Sequence, residues 1–230
     1  PYAAGRGSRG TSRQVGGRVA EPLPAEDEVV DRARDAQEGC ERAVGATVKS
    51  SDLPGLHKRV AEAIEAYDGV TDANVADLAR HWDQAAVLGG RAVAAGWSER
   101  AAVVASRQLA WEEAARLYER SLELDPAALP VERGARVLGL ARALLQSGDV
   151  ERSERRAIEA ADLGLTAGLT DLVVESALVH EARSVGSAEL RRIALAALDL
   201  VPIDAHPIRA RLHGHLATIA FYVAPGTTAE

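Results

Sequence analysis

Six histidines, one cysteine and a surplus of carboxylates are the side chains of this 230-residue sequence that could do chemistry. The pair His213-Gly214-His215 has the form of a metal clip. On a helix, however, residues two apart point about 200° away from each other, whereas the i,i+4 spacing of a His-Glu-x-x-His site puts both ligands on one face. The two are therefore expected to be surface or partly buried histidines, and His81-Trp82 to be a helix-packing pair. Lys49-Ser50 supplies the last two letters of a phosphate-binding loop, but Val48 and Ala43 stand where glycines must let backbone amides approach the phosphates. Lys58 is followed by Arg59. No Gly-x-Ser-x-Gly elbow offers a serine nucleophile, and Cys40 lacks a matching His and Asn signature. Carboxylates such as Glu112-Glu113 are adjacent, and adjacent residues on a helix do not face each other, so they read as solvated charge. These residues predict no catalytic, cofactor-binding or metal-ligating set, and hence a non-enzymatic chain.

Charge narrows the partners. Lys plus Arg is 27 against 34 Asp plus Glu, a net charge of -7, which lacks the basic footprint needed to neutralise nucleic-acid phosphates. Arg6, Arg9, Arg13 and Arg18 do precede the first acid, Glu21, after which acids dominate to Glu41. This short basic arm reads as a solvated terminus, with a phosphate- or partner-seeking tail as the sharper alternative. A lone cysteine forms no internal disulfide and fits a reducing cytoplasm. No apolar run reaches the roughly 18 residues that span a bilayer, and no export signal is visible. A cytoplasmic, soluble protein is expected, without membrane partners.

Helices must position whatever function remains. Aromatic residues make up 3% of the chain, while alanine is about one residue in five, so the core has to be packed by small side chains of high helix propensity. The long β-branched and aromatic runs of a sheet are missing. The expectation is an all-α protein of helices lying on helices. The absence of methionine suggests an internal piece of a longer polypeptide or a processed product. Residues 1–20 lack hydrophobic periodicity and read as a disordered arm. Gly39 and Gly45 weaken a helix over 29–48, and Ser50 to Gly55 reads as a break. A boundary near residue 54 divides a poorly ordered segment, 1–54, from a helical-repeat domain, 55–230. Within the latter, Leu56, Val60, Ala63, Ile64 and Tyr67 recur at helical steps up to Gly69. A second helix, capped by Thr71 or Asp72, carries Val75, Leu78, Ala79 and Trp82 and stops at Gly89-Gly90. Further helices are predicted at about 92–108, 111–124, 132–147, 150–164, 170–185, 188–200 and 206–223. Their short connections predict antiparallel neighbours.

A repeat underlies these helices. Aligning the tight turns within successive pairs sets Leu109-Ala110, Gly148-Asp149, Gly186-Ser187 and Gly226-Thr227 in register, at intervals of 39, 38 and 40 residues. This lies between the tetratricopeptide period and the HEAT or armadillo periods. Residues 110–126, AWEEAARLYERSLELDP, resemble the second helix of a tetratricopeptide repeat, with Ala114 and Ser121 at its small sites, Tyr118 at its aromatic site and Pro126 at its end. The next unit is a degraded copy built on Ala141, Ser153, Ala157 and Ala160. Small residues let paired helices approach to roughly 8–10 Å. Antiparallel pairs stacked as a tetratricopeptide-like solenoid follow, with a non-repetitive helical bundle as the alternative.

Residues 53–66 (LPGLHKRVAEAIEA), 75–82 (VADLARHW), 109–120 (LAWEEAARLYER) and 207–217 (PIRARLHGHLA) are similar, in that order, to the helical-repeat region after the ATPase module of bacterial signal-transduction ATPases with numerous domains. Large ATP-binding LuxR-type transcriptional regulators are the most similar subgroup, and actinobacterial members share the Ala- and Arg-rich style. The resemblance spans about residues 53–223; residues 1–52 depart from it. It implies that the repeats sense an inducer or bind a partner protein, while ATP hydrolysis and DNA reading belong to other domains. By analogy with tetratricopeptide solenoids, the first helix of each pair lines the concave face, which sets Glu99, Ser106, Arg107, Arg142, Gln146, His180 and Arg183 there as groove candidates. The expected partner is a protein or peptide, or a small inducer, with no cofactor in this segment. Two other readings stay open: a small all-α enzyme or ligand-binding bundle, and a remnant fragment without independent activity.

Overall fold

A computed structural model describes residues 49–67, 69–183 and 186–222. The expectations for residues 1–48, Cys40 and the arginine arm included, and for the turn at Gly226 lie outside them. Among the described residues every regular element is helical. The elements are α1 (Leu53–Tyr67), α2 (Val75–Ala85) followed by a 3-10 turn (Ala86–Leu88), α3 (Arg91–Arg107), α4 (Trp111–Leu124), α5 (Pro130–Ser147), α6 (Val150–Ala167), α7 (Thr170–Ala177), α8 (Ala188–Leu200) and α9 (His206–Tyr222). They belong to one compact unit that begins at Lys49.

Three local details differ from the sequence reading. The first helix starts at Leu53, inside the segment read as a break, because proline is tolerated in a first turn, where its missing N–H has no intrahelical acceptor. The N-cap of α2 is Asn74, not Thr71 or Asp72. Its side chain closes the preceding loop instead: Oδ1 accepts from the Thr71 N–H at 2.9 Å and Nδ2 donates to the Gly69 carbonyl at 2.9 Å. The helix predicted over 170–185 ends at Ala177, and turns carry the chain through Arg183.

Two of the four aligned turns share one closure, which also occurs outside the alignment, where the Leu169 N–H donates to the Gly164 carbonyl at 2.8 Å after left-handed Gly168. Ala110, Asp149 and Ser187 are the N-caps of α4, α6 and α8. The Ala110 N–H donates to the Ala105 carbonyl and the Asp149 N–H to the Leu144 carbonyl, both at 2.9 Å. These are the same six-residue closure, and the residue before each cap is left-handed, Leu109 at φ 61° and Gly148 at φ 93°.

Packing follows chain order, each helix lying mainly on its two neighbours, with added contacts of α3 to α5, α5 to α7 and α6 to α8. The core is accordingly strung along the helices: one cluster runs from Ala61 on α1 to Leu144 on α5, and another from Ala161 on α6 to Ile219 on α9. About half of the buried apolar residues are alanines. Ser121 Oγ donates to the Ala95 carbonyl and Ser153 Oγ to the Ala141 carbonyl, each at 2.7 Å, so small polar residues also tie α4 to α3 and α6 to α5.

Ion pairs then join alternate helices in two series. One runs Glu99–Arg136 (2.9 Å, α3 to α5), Arg142–Glu175 (2.7 Å, α5 to α7) and Glu181–Arg211 (the turn after α7 to α9). The other runs Asp83–Arg120 (2.7 Å, α2 to α4), Glu119–Arg152 (α4 to α6) and Asp162–Arg192 (2.9 Å, α6 to α8). Apart from Glu99–Arg136, whose arginine is buried, these pairs are largely exposed, and each contributes on the order of 0–1 kcal/mol.

Candidate functional site

A cleft of about 860 Å³ opens across alternate helices. From α3 it takes Val103, Ser106 and Arg107, from α5 Gly139, Arg142 and Gln146, from α7 and its turn Asp171, Val174, Glu175, Leu178 and Glu181, and from α9 Ile208 and Arg211. Trp111 and Tyr118 of α4 complete its floor. Four of the seven candidates, Ser106, Arg107, Arg142 and Gln146, are brought together there.

The other three lie elsewhere. Glu99 accepts from the Nε of Arg136 at 2.9 Å, and the Arg136 side chain, 5% exposed, is also 3.4 Å from Asp125. Glu99 is thus the counter-ion of a buried arginine. His180 is fully enclosed, its Nε2 3.1 Å from Ser153 Oγ; it follows the early end of α7 into a turn, where the helical register that placed it on the groove no longer holds. Arg183 is exposed beside the cleft and donates to the Leu145 carbonyl at 3.4 Å.

Glycine shapes the floor. A Cβ on Gly139 would stand 2.4 Å from Tyr118 Cζ and 2.7 Å from its hydroxyl oxygen, so the tyrosine ring lies across α5 only because that position is bare. Burial holds the Tyr118 hydroxyl above its ordinary pKa, Glu99 adds to the effect, and Arg142 opposes it. The phenol stays a neutral donor at physiological pH. Polarity is divided along the cleft: the α3 and α5 side carries Ser106, Arg107, Arg142 and Gln146, while the carboxylates Asp171, Glu175 and Glu181 come from α7 and its turn. Arg142 and Arg211 are held by Glu175 and Glu181, whereas among the described residues Arg107 pairs with Asp72 alone, at 4.0 Å, both side chains about 70% exposed. Arg107 is therefore the cleft cation most available to a ligand.

His213 is exposed, as expected, but His215, expected at the surface or partly buried, is fully buried at 2% exposure, because residues two apart on a helix face opposite sides. His81 Nδ1 lies 2.8 Å from His57 Nδ1, and Trp82 Nε1 donates to Glu65 at 2.6 Å, both across the α1–α2 seam. No group of three or more potential metal ligands is found among the described residues, and no described helix is long and apolar enough to cross a membrane.

Sequence reasoning missed Trp111, Asp171, Glu175, Glu181 and Arg211. One signal could have found part of this set, because opposite charges recur 33 residues apart in Arg142–Glu175 and Glu119–Arg152. No family model, curated protein or solved structure matches the chain.

Proposed function

We propose that the chain is a non-enzymatic scaffold of antiparallel helix pairs, stacked as a tetratricopeptide-like solenoid, that binds a protein or peptide partner in the cleft of α3, α5, α7 and α9. The observation that carries this reading is the cleft itself, whose walls come from α3, α5, α7 and α9, with Trp111 and Tyr118 of α4 between them. Stacked pairs give such a surface because the first helices of successive units share one layer. The two ion-pair series along alternate helices and the recurrence of N-caps at 110, 149 and 187 support the same arrangement. A floor of Trp111, Tyr118 and Val103 beside available donors is suited to a peptide, with apolar anchors flanked by polar groups that fix orientation. The resemblance of residues 53–223 supplies the setting, the sensing segment of a cytoplasmic transcriptional regulator.

The test is a titration of a verified partner into the wild-type chain and into the Arg107→Glu and Arg142→Glu variants. The reading expects each reversal to weaken binding by about tenfold or more, about 1.4 kcal/mol. Unchanged affinity in both would remove the cleft as the binding surface.

A further inference from the structure

Beside the far end of the cleft lies a group of polar atoms closed off from solvent. His180 is 0% exposed, Ser176 0% and His215 2%. His180 Nδ1, both ring nitrogens of His215 and Ser176 Oγ have no hydrogen-bond partner among the described residues. Interiors rarely leave so many polar atoms unpaired in one region, and a buried imidazole in this state resists taking a proton because no acceptor meets the new charge.

The surroundings show where an acceptor would come from. Arg211 and His215 are one turn apart on α9 and share a side of it. Arg211 is tied to Glu181, its Nε donating at 2.9 Å and its terminal nitrogen making a second bond. Glu181 and Arg211 both line the cleft, as does Ile208 of α9. Glu181 acts on His215 from the turn after α7, while Glu154 of α6, His215 and Arg183 act on His180. The buried face of α8, which shares an apolar cluster with Leu212 and Ile219 of α9, is made of Leu190, Ile193, Ala194 and Ala197. Burial depresses both imidazoles below their ordinary value, with Glu181 opposing this at His215 and Glu154 opposing it at His180. The bond to Arg211 in turn holds the Glu181 carboxyl below its ordinary value.

We propose that the His180–His215 pair is a proton-operated latch on the cleft: a proton taken up there draws Glu181 off Arg211 and loosens α9, which carries Ile208 and Arg211 at the end of the cleft. The inference rests on the cleft being the binding site and concerns its regulation. The proton moves from solvent to an imidazole nitrogen, and no bond between heavy atoms forms or breaks. Mild acid thus removes one wall of the site, and a partner that needs Arg211 or Ile208 is released.

Hydrogen exchange of the full chain tests the latch without any partner, so its failure is distinct from failure of the cleft reading. Rates in 206–222 are compared with those in 111–124 at about pH 7 and about pH 5, after correction for intrinsic exchange. The expected result is an acid-induced gain of about tenfold or more confined to α9 in the wild type and absent from a His180→Gln, His215→Gln double variant. Equal gains in wild type and variant, or none in the wild type, overturn the proposal. Should the variant not fold, an NMR titration of the wild-type histidines decides. The two buried rings must protonate over the range in which α9 loosens, and protonation without loosening, or loosening while both are neutral, overturns the latch.

Discussion

Arg136 and Arg107 differ in what surrounds them, and that difference separates stability from binding residue by residue. Arg136 is 5% exposed and held by Glu99 and Asp125. Removing Glu99 leaves the buried guanidinium with Asp125 alone, at 3.4 Å, so Glu99→Ala should lower unfolding stability by about 2 kcal/mol, measured by urea titration. Arg107→Glu removes a contact at 4.0 Å between exposed groups and should move stability by no more than about 0.5 kcal/mol while weakening the partner. The sequence shows both residues as charges at helical spacing, and nothing local distinguishes the counter-ion of a buried arginine from a groove residue. That distinction depends on Arg136, 37 positions away. Gly139 makes the same point about shape. Gly139→Ala forces a Cβ to within 2.4 Å of Tyr118 and should cost about 1–3 kcal/mol by overpacking, with Tyr118 expelled toward the cleft.

At the scale of elements, the turns carried most of what was legible. Periodicity located the helices, since alanine and leucine recur at helical steps and glycines with positive φ, Gly69, Gly89, Gly148 and Gly168, close runs. The turns at Leu109-Ala110 and Gly148-Asp149 were legible because a helix ends and another begins there, which requires a left-handed residue before the cap. Ends set by tertiary contacts were harder to read, as α7 shows: its apolar pattern continues through Leu178 and Val179 while the helix stops at Ala177. Leu109 gives a sharper test. It holds the left-handed backbone that glycine holds at 148, and it is 69% exposed, so its side chain contributes little packing. Relief of a left-handed strain of roughly 1–2 kcal/mol exceeds the entropic cost of glycine, roughly 0.5–1 kcal/mol. Leu109→Gly should therefore raise the melting temperature slightly, and Gly148→Ala should lower it.

Across the whole molecule, the buried histidines link stability to pH. His180 and His215 fold with pKa values below the ordinary 6.5, so the unfolded chain binds more protons between the folded and unfolded values. Their contribution is fully present above about 6.5 and is lost as pH falls below it, by up to about 1.4 kcal/mol per pH unit for each ring until its folded value is reached. Urea unfolding at stepped pH should show this decline, and the double glutamine variant should flatten it. The cleft belongs to this scale as well. Its charged residues were only partly legible because five helices and the turn after α7 contribute to it, and the contacts that arrange Glu175, Glu181 and Arg211 join residues 33 and 30 positions apart.

The central claim, that a partner is bound in the cleft of alternate helices, is tested most directly by a photo-crosslinking scan in cells that express the protein. A crosslinking amino acid is placed at Val103, Gln146 or Ile208, which line the cleft, and at Arg155, which lies outside it. The account predicts one common partner captured from all three cleft positions, lost when Arg107→Glu is added, and not captured from position 155. Equal capture of that partner from position 155, or capture unaffected by Arg107→Glu, would contradict it.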